Sequence, residues 1–287
     1  MTAETINAFT VDVEDYFQVE AFSGNIDRKN WGSYESRVVN NTHIMLNLLD
    51  DHGTSGTFFV LGWVAKRHSQ LVREISDRGH EVASHGMSHK LIYNQSESEF
   101  REETFDSKKL LEDIAQKEVL GYRAATYSIT KKSFWALDVL CEAGYRYDSS
   151  IFPIVHDRYG IADINTRPHV LTTNNNNQII EFPISVYKNR VFNLPISGGG
   201  YFRLFPYFFS KFLLGTLNKK NLPFMFYIHP WEVDKFQPKI NNIKLSTRFR
   251  HYNNISRCEN RLGKLLSDFN FTTTENVLKK LDLLTAS

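Results

Sequence analysis

The chain has 287 residues, of which 41% are hydrophobic, 14% aromatic and 23% charged. That is enough apolar material for a sizeable folded core, and it excludes a disordered or fibrous chain. Lysine and arginine number 34 against 32 aspartates and glutamates, a formal charge of +2, which argues against a dedicated nucleic-acid binder.

In chain order, residues 1–5 show no basic stretch followed by an apolar one, so no signal peptide is expected. Residues 7–13 (NAFTVDV) form a short apolar run that reads as a buried strand ending in acidic residues. Helical spacing covers 36–52 and stops at Gly53, and 56–62 (GTFFVLG) is a second strand. Residues 63–78 are helical up to Gly79, and 80–84 (HEVAS) is a third strand. A charged amphipathic helix spans 96–117, followed by a fourth strand over 119–123. A helix over 131–143 ends at Gly144, before a fifth strand over 145–148. Glycine just past a helix turns the chain back towards a strand. Cys141 lies on an apolar helical face and reads as core; with Cys258 it makes neither a disulfide framework nor a cysteine-type zinc site.

The four asparagines at 174–177 read as a surface loop before a strand over 179–184. Pro206 opens a helix to about residue 220, and 223–228 (PFMFYI) is a seventh strand. Residues 232–254 read as a long ordered loop or appended segment, and 255–284 as two amphipathic helices. No run reaches the roughly 18 apolar residues of a membrane span, so a soluble cytoplasmic protein is expected. Strands alternating with helices over short connections imply parallel pairing. The expected fold class is α/β, with a barrel as the natural architecture and an open doubly wound sheet as the alternative. No linker stands out. A single domain over 1–287 is expected, with a core of about 7–231 and a C-terminal extension over 232–287.

Functional groups in such folds gather where the strands end. Those ends carry Asp12, Glu14 and Asp15; His85 and His89; Arg123; Asp148; and His229 followed by Pro230, Trp231 and Glu232. His85 and His89 stand at i, i+4, which a helical turn would aim at one cation. Two histidines and a carboxylate are a common set for a catalytic Zn²⁺ that keeps open positions. The same spacing also suits two polar residues in a surface turn. Its place after a buried strand, with an acidic cluster after another, favours the metal. Strand alternation puts Asp12 and Glu14 on one face, and Asp15 replaces Glu14 if the chain leaves the strand at Val13. One carboxylate would hold the metal and another would take a proton from water; a solvated acidic turn is the plainer reading. Trp231 suits stacking on a sugar ring or packing in a wall. Glu35 and Arg37 read as a salt-bridged helix start, with Arg37 a candidate substrate contact. Gly198, Gly199 and Gly200 suit a close backbone approach or a flexible turn. His251 lies in the extension, over the site or at the surface.

A set of stretches runs in order from near residue 7 to about 270: TVDVEDYFQVEAF, ESRVVNNT, GTFFVLGWVAKRH, GHEVASHGMSHKLIY, GYRAATYSIT, YDSSIFPIVHDRYGI, PISGGGYFRLFPY, FYIHPWEVD and RFRHYNN. Together they resemble the polysaccharide deacetylases of carbohydrate esterase family 4, above all the branch encoded with exosortase (PEP-CTERM) exopolysaccharide loci. The resemblance implies a distorted (β/α) barrel of about seven parallel strands. It also implies a divalent metal ion, zinc first, and hydrolysis of N-acetyl groups on a glycan or its lipid-linked precursor. By the same resemblance Asp12 matches the catalytic base, and His85 and His89 match metal ligands. Arg123 matches the arginine that holds the base, Asp148 the acid that orients the catalytic histidine, and His229 the general acid. Glu14 is the first choice for the third ligand and Asp15 the second. The family's usual R-x-P triplet is here Arg123-Ala124-Ala125, in a turn whose Thr126 N–H would face an oxyanion.

The expected partner is therefore a glycan rather than nucleic acid, with peripheral association at the inner membrane face. A C–N hydrolase acting on a small amide or cyclic ureide is the alternative, and a non-catalytic carbohydrate-binding relic another. A glycosidase fits less well, since it needs two carboxylates facing across a bond and no histidine–metal set.

Overall fold

The computed structural model describes residues 5–156, 159–188 and 193–285. Residues 1–4, read above for a targeting signal, and Asp157 and Arg158 of one quoted stretch lie outside the described residues. The strands in chain order are β1 (Ile6–Val13), β2 (Thr57–Val60), β3 (Glu81–Ser84), β4 (Gly121–Tyr122), β5 (Tyr147–Asp148), β6 (His169–Thr172), β7 (Gln178–Glu181), β8 (Val186–Lys188), β9 (Asn193–Pro195), β10 (Met225–Ile228) and β11 (Asn270–Thr272). The helices are α1 (Val38–Asp51), α2 (Gly62–Arg67), α3 (Ser69–Asp77), α4 (Glu97–Ala115), α5 (Ala136–Glu142), α6 (Gly199–Leu204), α7 (Tyr207–Asn218), α8 (Leu245–Tyr252), α9 (Ile255–Asp268) and α10 (Thr274–Lys280).

The seven strands expected from the sequence are β1, β2, β3, β4, β5, β7 and β10, and they run parallel in the order β10-β1-β2-β3-β4-β5-β7. Alternation along each strand separates two apolar populations. Phe9, Val11, Val13, Phe58, Val60, Phe226 and Ile228 pack into the core beneath the helices. Ala8, Phe59, Ala83, Tyr147, Ile180, Met225 and Tyr227 form a second core inside the curved sheet. Between β7 and β10 the wall closes irregularly. Met225 N donates to Ser185 Oγ at 2.9 Å, Tyr227 N donates to Ser197 O at 2.9 Å, and Gly198 bridges Tyr227. This seam makes the barrel a distorted one.

Several elements lie outside the sequence expectation. The helix expected over 63–78 breaks at His68 (φ −131°, ψ 51°) into α2 and α3. The asparagine run turns a hairpin, with β6 antiparallel to β7. The segment 232–254 contains α8, and β11 separates the two C-terminal helices, pairing parallel with the start of β1. α10 then seats Val277 and Leu278 among the interior side chains, so the extension closes the barrel end opposite the strand C-termini. No helix among the described residues is long and apolar enough to cross a membrane.

Candidate active site

Glu14, His85 and His89 meet at the C-terminal rim, each buried, with one ligand atom apiece lying within 4.8 Å of the others. His85 leaves β3 directly. Its Nδ1 faces Arg123 O at 2.8 Å, so that nitrogen carries the hydrogen and Nε2 keeps a lone pair. His89 arrives by a turn rather than the helical turn expected; its φ of 56° is unusual for a non-glycine residue. The loop is held by three hydrogen bonds. Gly62 N and Trp63 N at the start of α2 donate to Gly86 O and Met87 O, and Arg28 Nη2 donates to His89 O at 2.9 Å.

The third-ligand alternatives part at Val13. Glu14 turns inward and lies 2.7 Å from His89 Nε2, although its Oε2 makes no well-aligned hydrogen bond. Burial alone would raise its carboxyl; the imidazoles of His89, His229 and His85 outweigh that and hold it down to about 2. Asp15 turns away and is fully used as an anchor. Its oxygens accept from Tyr16 N, Ser36 Oγ, Arg37 N and Val38 N. Asp15 as a ligand is therefore corrected: its side chain caps the following turn and the start of α1. Two imidazole nitrogens and one carboxylate oxygen in a buried rim are a donor set that suits a divalent cation.

Asp12 stands beside this group, on the inward face of β1. Arg123, fully buried in the barrel, donates from Nη1 to Asp12 Oδ1 at 2.6 Å and to Thr10 Oγ1 at 2.9 Å, and from Nε to Ser149 O at 3.2 Å. Its guanidinium also lies 4.0 Å above the Phe59 ring. Just beyond, Thr126 sits in a tight turn in left-handed conformation (φ 55°, ψ 27°), and Ala124 before it is extended (φ −70°, ψ 140°).

On the opposite side His229 ends β10, with Nε2 3.6 Å from Glu14 Oε1 and 3.8 Å from Asp12 Oδ2. Its side chain is 20% exposed, the most open of the group. The expectation that Asp148 orients this histidine is corrected. His229 Nδ1 instead meets Glu232 Oε1 at 2.8 Å, and Glu232 Oε2 accepts from Arg203 Nε at 2.6 Å. Burial would lower His229; Glu232, Glu14 and Asp12 together raise it to about 9. Asp148 bonds Ser150 and Glu181 within the barrel wall, and burial raises both carboxyls.

Trp231 forms part of the wall. Its indole stacks between His229 (5.1 Å) and His251 (4.2 Å), and Nε1 donates to Glu14 Oε1 at 3.2 Å. Arg37 is committed to Asp234, at 2.5 and 3.0 Å, and to Glu35 at 3.0 Å, as a salt-bridged helix start would be. Its expected substrate contact is thus corrected to a structural tie. Sequence reasoning placed Glu232 at the same strand end without a role, and it missed Arg203. Glu232 carried a signal, since it stands three residues after His229 on a short turn. Arg203 carried none, being 29 positions from its partner. Gly199 explains why glycine precedes it: a Cβ there would collide with the Glu232 carboxylate.

Residues 30–147 match the polysaccharide deacetylase family model, and residues 149–279 match a domain of unknown function, DUF3473. A peptidoglycan-N-acetylglucosamine deacetylase from Bacillus cereus is 30% identical over 76 residues, 26% of this chain and 36% of that protein. A chitooligosaccharide deacetylase from Bradyrhizobium is 28% identical over 96 residues, 33% of this chain and 42% of that protein. The chain thus spans only about two-fifths of the length of these curated relatives. Among solved structures, a Mycobacterium smegmatis protein assigned as a polysaccharide deacetylase superposes with a TM-score of 0.63 at 19% identity, covering 98% of this chain and 92% of that one. The Puue allantoinase superposes equally well, with a TM-score of 0.63 at 13% identity over 99% and 94%. Both share the fold. Residues 30–147 are thus similar to the polysaccharide deacetylase family, and the curated relatives that match part of the chain are deacetylases of glycans.

Proposed function

We propose that the protein is a metal-dependent hydrolase that removes N-acetyl groups from a polysaccharide or its lipid-linked precursor during exopolysaccharide biosynthesis. The observation that carries this reading is the meeting of Glu14, His85 and His89 at one rim, with Asp12 on one side and His229 on the other. Glu14, His85 and His89 would hold the cation, with zinc the first choice for this nitrogen-rich set. When bound, it would supply Lewis-acid polarisation of the acetyl carbonyl and make a water more acidic.

The chain's own groups do the rest. Asp12 takes the water's proton, its carboxylate held in place by the Arg123 guanidinium at 2.6 Å. The Thr126 N–H faces the oxygen that becomes negative as the carbonyl turns tetrahedral. His229 passes a proton to the departing amine, with Glu232 on its Nδ1 fixing the ring so that Nε2 points into the site. Products are acetate and a free amino sugar. Trp231 and its neighbouring rings form the wall against which the sugar lies. The test is acetate release from a panel of N-acetylated oligosaccharides, with allantoin and simple amides in parallel. Release from the glycans that disappears in Asp12→Asn supports the proposal. Turnover of allantoin with inert glycans would replace it with a cyclic-ureide hydrolase, and no turnover with retained glycan binding would leave a binding relic.

A further inference from the structure

Between Asp234 and Glu259 the chain carries Lys235, Lys239, Lys244, Arg248, Arg250 and Arg257 and not one acidic residue. All six are exposed, and among the described residues none meets a carboxylate within ion-pair distance. The same segment leaves large apolar side chains in water: Phe236 is 76% exposed, Leu245 82% and Phe249 59%. On α8, Leu245 and Phe249 stand at i, i+4, with Arg248 on the same stripe and Lys244 and Arg250 beside it. Aromatic and aliphatic side chains flanked by unpaired cations are the chemistry of an interfacial helix, in which rings enter the acyl boundary while the cations meet headgroup phosphates.

The opposite face of α8 is bound to the site. His251 is buried, stacks on Trp231, packs against Phe22 at 4.6 Å, and faces Gln237 Oε1 at 2.7 Å. Arg203 donates to the carbonyls of Arg250, His251 and Asn253. The helix is thus rigidly tied two rings away from His229, and a bilayer against its outer face would lie beside the reaction rim.

We propose that residues 235–250, centred on α8, form a docking surface for an anionic lipid bilayer. This rests on side chains outside the reacting group, so it stands or falls separately from the deacetylase reading. The charge pattern selects the occupant: an unbroken run of cations complements a negative headgroup layer, where each is worth a factor of about five in binding.

Vesicle flotation tests it. The full chain is mixed with phosphatidylcholine vesicles, alone or with about a third of the lipid replaced by phosphatidylglycerol. The wild type should float with the anionic vesicles at least about tenfold better than with neutral ones, and raised salt should weaken that binding. Leu245→Asp with Phe249→Asp, and separately Lys244→Glu with Arg248→Glu, should each lower flotation at least about tenfold with an unchanged melting temperature. No flotation by the wild type, or equal flotation by both double variants, would overturn the proposal. So would a wild-type dimer that the apolar double variant converts to a monomer, because the face would then be a subunit interface. Lipid binding needs no turnover, so loss of acetate release with retained flotation would refute the deacetylase reading alone.

Discussion

Asp12 and His229 face each other across Glu14, one held by a buried guanidinium and the other by a buried carboxylate. If they move the two protons of amide hydrolysis, Asp12→Asn and His229→Gln should each cost roughly 10²–10⁴-fold in kcat, measured by acetate release. Substrate binding by either variant should change far less. At this scale the sequence was most legible where chemistry depends on residue type. The histidine pair and the inward-facing Glu14 stand out because strand alternation and a rim position leave few places for them. The partner of His229 was misread because Asp148 and Glu232 are both acidic residues near strand ends. Only the packing, with Gly199 letting Glu232 come close, separates them.

Among elements, α6 and the turn after β4 carry the sharpest expectations. Gly199→Ala would drive a methyl group into the Glu232 carboxylate and displace it from His229, so acetate release should fall as far as in Glu232→Ala. Gly200→Ala meets nothing within 4 Å and should be neutral or stabilising by up to about 1 kcal/mol in thermal unfolding. Ala125→Pro should also stabilise, by about 0.4–1 kcal/mol in urea unfolding, since Ala125 opens its turn and Ala124 already has the extended conformation that proline requires before it. The seven parallel strands could be read because each is a short apolar run punctuated by glycine or a charged turn. α8 could not. Its eight residues bury only His251 and leave Leu245 and Phe249 outside, so they show no apolar face turned to a core. β11 is likewise too short to announce itself, and its pairing with β1 is set by tertiary contact.

Across the whole molecule, the barrel gathers the candidate site at one end and is closed at the other by α10. There Tyr147 Oη donates to Glu81 Oε1 at 2.6 Å, and Glu275 N at the start of α10 donates to Glu81 Oε2 at 3.0 Å. Burial pushes the Glu81 carboxyl up to about 7. A carboxyl raised on folding binds its proton more tightly in the folded state. Its contribution is therefore complete below the unfolded value near 4.5 and is lost as pH rises to about 7. Chemical denaturation should show the wild type losing up to about 3 kcal/mol over that range. Glu81→Gln should remove that part of the pH dependence. Such a group is invisible in the sequence, where Glu81 is one more charged residue at a strand start; only the helix laid across the barrel end half-buries it. If Glu14, His85 and His89 grip one divalent ion on which hydrolysis depends, elemental analysis coupled to acetate release measures it directly. The wild type should carry one ion per chain, and His85→Ala and His89→Ala should lose both the ion and the release of acetate. A fully stripped wild type that deacetylates at an undiminished rate would contradict the claim.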